Sequence, residues 1–324
     1  MKEKIKSAIW GAIVGDCLGV PVEFYQRQEL KENPVVTMLK HGTYNKPLGT
    51  WSDDSAFTLA TLDGLSPELN IETIARNFVD CYKHNKYWQR HLFDIGGTTS
   101  TAIERINTSF TRNAFSPHVE YGCDDVSQNG NGSLMRMIAV VMYLYLNKNK
   151  HHTTIDTISD EFQDRRKITY QLSSLTHAHP YSRISCHIYV EYCLLLLNGV
   201  DKLTAYKEIC KTFSEYIGVD NFSLLLDGKL HKRQERHIKS DGYVINTLTA
   251  SIWCILKNKT YKDSVFCAVN LGDDTDTTAC VTGGMAGIIY GYNSIPTEYI
   301  DNIYQKQKAD IVIENFMKRN MECN

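Results

Sequence analysis

The chain has 324 residues, 43% of them hydrophobic and 22% charged, which is enough apolar surface for a large core and lacks the composition of a disordered chain. A formal net charge of −2 supplies no overall basic field, so neither nucleic acid nor an acidic membrane surface is expected as a partner. Ten cysteines are dispersed, some within apolar runs such as EYCLLLL and SIWCILK and none in a Cys-x-x-Cys pair; they read as free buried thiols in a reducing cytoplasm, not as a disulfide framework or thiolate metal site.

The first segment, MKEKIKSAIWGAIVGDCLGVPVEF, opens like a signal peptide. Asp16 and Glu23 interrupt it, however, and its unbroken apolar run from Ala8 to Val14 is too short to span a bilayer, so a core helix over 3–20 is expected. Helical spacing then predicts elements at 54–64, 71–86, 98–108, 133–147, 156–176, 182–197, 201–216, 245–257, 262–269 and 276–291. The stretch ELNIETI supplies a cap for the 71–86 helix. In INTLTASIWCILK, Ile245, Leu248, Ile252 and Ile255 fall on one helical face. The basic run KLHKRQERHIKSDG, 229–242, is broken by Glu235 and Asp241 and is expected to be a solvated loop. Strand alternation is scarce, only seven prolines are present, and no fixed repeat or low-complexity linker divides the chain. The expected fold is all-α, with one compact multi-helix domain over 1–324.

Two of these helices carry glycine at intervals of four: Gly11, Gly15 and Gly19 in the first, and Gly283, Gly287 and Gly291 in the last. Each glycine costs a helix about 1 kcal/mol relative to alanine, so two such stripes imply close backbone approach and a central position for both helices.

The acidic residues are grouped in a similar way. NLGDDTDTTACVTGGMAG places Asp273, Asp274 and Asp276 within four positions ahead of an apolar helix, and GTWSDDSAFTLATLDGL places Ser52, Asp53 and Asp54 ahead of another. One helix start needs one cap, and a solvated turn would account for either cluster alone. Both together supply hydroxyl and carboxylate oxygens, the hard ligands that magnesium and manganese prefer, and a pair of such ions offsets the carboxylate repulsion. Glu23, just beyond the first glycine-striped helix, adds a further carboxylate.

GAIVGDCLGVPVEF, GTWSDDSAFTLA, DIGGTTSTAI, NGNGSLMRM, LTHAHP, GYVINTLTASIWCIL and AVNLGDDTDTTACVTGGMAGIIYG occur in that order, and with them the chain resembles the ADP-ribosylglycohydrolase family over most of its length. The resemblance implies an all-helical fold with a binuclear metal site and a hydrolase that removes ADP-ribose from modified protein side chains, releasing free ADP-ribose. It assigns Ser52, Asp53, Asp54, Asp274, Asp276 and Thr277 to two divalent ions, Mg2+ or Mn2+. Asp273 stands where some members have glycine, so it is expected to lie behind the metal ligands or face solvent. Glu23 matches an acidic position that touches a metal or gates the entrance. Asp94, in the DIG motif, matches an aspartate implicated in catalysis on arginine-linked substrates and, with Glu23, forms the implied catalytic pair. Serine-linked ADP-ribose, O-acetyl-ADP-ribose and a non-catalytic ADP-ribose-binding role are the alternatives.

The loop Asn129, Gly130, Asn131, Gly132 and Ser133 presents glycine-linked amides suited to a pyrophosphate, although the same residues also suit a plain Asn-Gly turn. His177 and Tyr243 are expected at the substrate; an equally good reading makes each a packing residue of the core. Arg136 is expected to be buried and structural. Gly97, Ser100 and Thr249 depart from the family pattern, Thr249 in place of a glutamate.

Overall fold

A computed structural model of the chain describes residues 1–147, 152–219 and 222–321. Its helices are α1 (Lys2–Gly19), α2 (Arg27–Glu32), α3 (Asp53–Gly64), α4 (Ile71–His84), α5 (Gly97–Thr111), α6 (Met137–Asn147), α7 (Asp160–Ser174) and α8 (Pro180–Leu197). These are followed by α9 (Lys202–Thr212), α10 (Phe222–Leu226), α11 (Val244–Lys257), α12 (Tyr261–Val269), α13 (Thr275–Tyr290), α14 (Thr297–Asp301) and α15 (Gln307–Met321). Among the described residues no strand forms. Three isolated bridges occur instead, His41–Lys46, Cys123–His177 and Gly130–Tyr243.

The centre is the pair α1 and α13. A β-carbon added at Gly11 would overlap the carbonyl of Gly283, one at Gly15 the carbonyl of Ala279, one at Gly19 the backbone of Asp276, and one at Gly287 the carbonyl of Ser7. Backbone therefore lies on backbone along the whole interface, as the glycine spacing predicts. Gly291 is the exception. It meets nothing within 4 Å and ends α13 at φ +81°, a conformation glycine adopts without penalty. By length and hydropathy alone Lys2–Val22 would suffice to cross a bilayer, but 94% of its most apolar window is buried inside the fold. Around this pair one continuous apolar cluster runs from Ile5 to Met317.

Most predicted helix ends shift by one to four residues, each for a local reason. The predicted 133–147 helix starts at Met137, because Asn131–Ser133 forms a 3-10 turn. The predicted 156–176 helix starts at Asp160, where Ser159 Oγ accepts the Phe162 amide. The 201–216 element stops at Thr212 and continues as the separate 3-10 turn Ser214–Tyr216. Asn70 caps α4 by accepting the Thr73 amide at 3.1 Å, as ELNIETI indicates. Helices α2, α10, α14 and α15 lie outside the predicted segments. In α15 the buried residues Ala309, Ile313, Phe316 and Met317 do follow helical spacing.

The basic run is not a simple solvated loop. Leu230, Ile238 and Ser240 are buried, and Ser240 O accepts the Asp274 amide at 3.1 Å, so the segment anchors the acidic turn. The nine described cysteines are free and all but Cys267 are buried; Cys323 lies outside the described residues.

Candidate active site

Close packing of α1 on α13 brings three chain segments to one place. Asp16, on α1 and fully buried, points at the start of α3: its carboxylate accepts the Ser52 amide at 3.0 Å, the Ser55 amide at 3.0 Å, the Ser52 hydroxyl at 2.9 Å and the Ser55 hydroxyl. Ser52 Oγ also accepts the Asp54 amide, at 3.3 Å. The amides at this helix start are thus satisfied by one residue of the helix and one from outside it, and the carboxylate sits at the positive end of the helix dipole. Asp16 therefore sets the direction in which Asp53 and Asp54 leave the turn. Sequence reasoning missed it, although an acid inside an apolar helix was the available signal.

From the other side, the Asp274 turn is held by backbone. Phe24 N–H donates to Asp273 O at 2.7 Å and Asp273 N–H to Tyr25 O at 2.9 Å, which fixes Glu23 beside the turn. Asp273 has φ +60°, which explains why this position suits glycine; its side chain is half-buried. Asn131 Nδ2 donates to Asp274 Oδ2 at 2.7 Å and Thr277 Oγ1 donates to Asp54 Oδ2 at 3.2 Å, tying both acidic turns together.

Asp94 lies at the mouth with φ +61° and accepts the Tyr44 hydroxyl at 2.6 Å. Phe24, Asp94 and Asp273 are all left-handed non-glycine residues next to the same acids, and such strain concentrates at functional sites. One carboxylate oxygen from each of Glu23, Asp94 and Asp276 lies within 4.8 Å of the others. The two residues assigned to catalysis thus stand with one of the assigned metal ligands.

The electrostatics of the bare cluster are unfavourable. Burial first, and neighbouring carboxylates second, hold Asp53, Asp54 and Asp276 well above the usual carboxylate range. Glu23 is pushed up to about 10 by burial and by the charges of Asp94 and Asp274. Burial raises Asp16 and Asp274 to about 6, opposed by their hydrogen bonds. Among the described residues, one oxygen on each of Glu23, Asp54, Asp274 and Asp276 is buried with no hydrogen-bond partner. Four orphaned acceptors converging from separate segments, with oxygen as the only donor atom, fit hard divalent cations.

A cavity of about 220 Å3 opens over these acids. Asp53, Asp274 and Thr277 line it, with Gly96–Thr99 opposite and Gly130, Asn131, Gly132 and His177 at the far wall. A β-carbon at Gly132 would stand 2.7 Å from Thr99 Oγ1 and 2.9 Å from His177 Cε1, so only glycine keeps this wall open. Arg136, fully buried, donates to the carbonyls of Gly132 and Leu172 and to Thr176 Oγ1 at 2.9 Å, which holds the loop in place from behind. Thr176 Oγ1 in turn shares a hydrogen with His177 Nδ1 at 2.9 Å. Burial, with Arg136 adding, lowers His177 to about 3, so it faces the cavity as a neutral ring.

Two assigned substrate residues are placed elsewhere: Asn129 spends its side chain on Val126 O and the Ser182 hydroxyl, and Ser133 Oγ is buried against Ser173 and Cys186. Tyr243 stands at the N-cap of α11 and its backbone bridges to Gly130 of the cavity wall. Thr249 bonds back to Ile245 O at 2.6 Å and offers the site nothing. Ser100 Oγ likewise turns back to Gly97 O, at 3.0 Å.

Comparison with known proteins agrees with this geometry. A profile of the ADP-ribosylglycohydrolase family matches residues 1–323. The chain is 28% identical to the ADP-ribosylarginine hydrolase Tri1 of Serratia proteamaculans (strain 568), covering 96% of this chain and 78% of that protein. It is 22% identical to the ADP-ribosyl-[dinitrogen reductase] glycohydrolase of Rhodospirillum rubrum, covering 95% and 93%. Among solved structures, one titled ADP-ribosylglycohydrolase-related protein complex superposes with a TM-score of 0.75 at 21% identity over 99% of both chains, which shows the shared fold. With two acidic helix starts joined over one glycine-walled cavity and a family match running nearly end to end, the chain belongs to the ADP-ribosylglycohydrolase family.

Proposed function

We propose that the protein is a metal-dependent hydrolase that cleaves the N-glycosidic bond between ADP-ribose and an arginine side chain of a modified protein. The observation that carries this reading is the convergence of Asp54, Asp274, Asp276 and Glu23, each with an unpartnered buried oxygen, beneath a cavity whose mouth holds Asp94. Ser52, Asp53, Asp54, Asp274, Asp276 and Thr277 would hold two divalent ions, Mg2+ or Mn2+, with the buried Glu23 beside Asp276. Bound there, such ions supply Lewis-acid polarisation and a template for the ribose hydroxyls.

The chain's own residues divide the remaining tasks. Gly130, Asn131, Gly132 and the neutral His177 receive the pyrophosphate and ribose, while Asn129, Ser133 and Tyr243 shape the loop from behind. The Asp94 carboxylate, oriented by Tyr44, faces the cationic guanidinium, which suits it electrostatically. In hydrolysis the bond from the anomeric carbon to the guanidino nitrogen breaks with oxocarbenium character, its electron pair leaves on that nitrogen, and water oxygen bonds to the anomeric carbon. Asp94 accepts the proton of that water as general base.

Release of free ADP-ribose from an ADP-ribosylated arginine protein, with Mg2+ or Mn2+ beside chelator, tests the reading. Release only with the ion supports it, and Asp94→Asn is expected to reduce turnover by about 10²-fold or more. Full turnover by that variant removes Asp94 from catalysis, and no release in either condition redirects the assignment to other linkages.

A further inference from the structure

A second pocket, of about 260 Å3, is lined by Tyr44, whose hydroxyl donates to Asp94 of the acidic cavity. Its floor is aromatic, with Trp51, Trp88 and Phe93, and its rim carries Lys46, Arg90 and His91. No carboxylate lines it, and neither Lys46 nor Arg90 has an acidic partner within 4.0 Å among the described residues. The lysine Nζ stands over the Phe93 ring, 4.1 Å from its centre, and Arg90 lies over Tyr304 at 5.0 Å. Arg90 Nε donates to the Tyr304 hydroxyl at 3.2 Å, and Lys308 holds the carbonyl of Trp88 at 2.6 Å from below. Burial and the charge of Arg90 together lower the Lys46 pKa. Two cations are therefore held around one concavity, repelling each other, without the anion that would offset them.

We propose that this pocket is an anion subsite that receives the side-chain carboxylate of an acidic residue neighbouring the modified arginine in the protein substrate. The position of the pocket identifies its occupant. Tyr44 links the two sites: it lines this pocket, its hydroxyl donates at 2.6 Å to Asp94 of the acidic cavity, and its ring centre is 4.9 Å from that of Phe93, over which Lys46 lies. A polypeptide whose arginine enters at Asp94 reaches this rim along the contacts Asp94–Tyr44–Phe93–Lys46, a span that about four extended residues cover. The ADP-ribose moiety is committed to the acidic cavity and its glycine wall. What remains to meet Lys46 and Arg90 is the protein part of the substrate, so a carboxylate within about four positions of the arginine is favoured by charge and by apolar floor contact.

The pocket's role rests on the arginine-directed function proposed above, and the experiment separates the two. Three substrates are compared at fixed Mn2+: free ADP-ribosylarginine, a peptide with one ADP-ribosylated arginine and an aspartate two positions away, and the same peptide with alanine there. The expected result is a KM about three- to tenfold lower for the aspartate peptide than for the alanine peptide at equal kcat, weakening as salt is added. Lys46→Ala with Arg90→Ala should abolish the difference, and Lys46→Glu with Arg90→Glu should invert it toward a lysine-flanked peptide. Equal KM for both peptides in the native enzyme, with free ADP-ribosylarginine cleaved, overturns the subsite and leaves the parent function standing. Weaker binding of free ADP-ribose by the alanine pair also overturns it, since the cations would then serve the pyrophosphate. Failure to cleave free ADP-ribosylarginine overturns the parent reading and this proposal with it.

Discussion

At Asp16 a single carboxylate accepts hydrogen bonds from two amides and two hydroxyls at the start of α3. Asparagine has the same shape but turns two of those acceptor positions into donors, leaving buried donors facing donors. Asp16→Asn is therefore expected to lose about 2–3 kcal/mol of stability and to weaken Mn2+ binding, read by thermal unfolding and by calorimetric titration. Unchanged Mn2+ affinity would show that Asp53 and Asp54 hold their direction without it. Tyr44→Phe removes only the hydroxyl that orients Asp94. It is expected to cut kcat about tenfold while costing stability about 1 kcal/mol, a split that steady-state kinetics and denaturant melts together resolve. Neither residue is identified as functional by the sequence patterns above. Asp16 sits in an apolar run where it served only to argue against a signal peptide, and Tyr44 sits in a loop with no periodic pattern.

The α1 and α13 contact operates at the scale of elements. Its glycine spacing was readable because three side-chain-free positions on one helical face have few physical explanations, and the first turn of α13 carries Asp276 and Thr277 themselves. Gly15→Ala places a methyl group on the carbonyl of Ala279, backbone that cannot rotate away. The expected cost is about 3 kcal/mol or more, seen as a lowered Tm, with Asp276 displaced by the same shift. A Tm within error of the native protein would mean that the helices separate freely. Helix boundaries were less legible than helix existence, since α6 and α7 start where turn hydrogen bonds and caps release the chain, and these depend on particular side chains. Helix α15 shows the limit differently: its apolar stripe has the right spacing but lies among charged residues, and its tertiary contacts, such as Arg319 donating to Asp63 O at 2.9 Å, decide its place.

The whole molecule stores mutually repelling carboxylates at its centre, and this sets its response to ions and pH. With the ions chelated, burial raises Asp16 and Asp274 from 3.8 to about 6, so the folded chain keeps protons that the unfolded chain has released. Stability from these groups is present below the unfolded value and is lost as pH rises through about 6, and Glu23, at about 10, continues the loss across neutral pH. Chelated protein is therefore expected to show a Tm that falls from about pH 5 to about pH 8, and added Mn2+ or Mg2+ to raise the Tm and flatten that slope. A chelated Tm that rises over the same interval would mean that the carboxylates already have partners in the fold.

Composition, helical periodicity and the order of short motifs determined the class of the fold, the family and the two acidic helix starts, because these are local properties written within ten or twenty residues. Where the acids meet was decided only by tertiary structure. Asp16, Glu23, Tyr44, Asp54, Asp94, Asn131 and Asp276 become one site because glycine lets α1 and α13 touch and because backbone pairs at Phe24 and Tyr25 carry Glu23 to Asp274. The same packing turned Ser133 and Asn129 inward and left Lys46 and Arg90 together with no acid among the described residues that pairs with either. Contacts between residues tens to hundreds of positions apart leave no periodic trace in a single chain, and burial, which raises Asp16, Glu23, Asp53, Asp54, Asp274 and Asp276, exists only once the chain has folded.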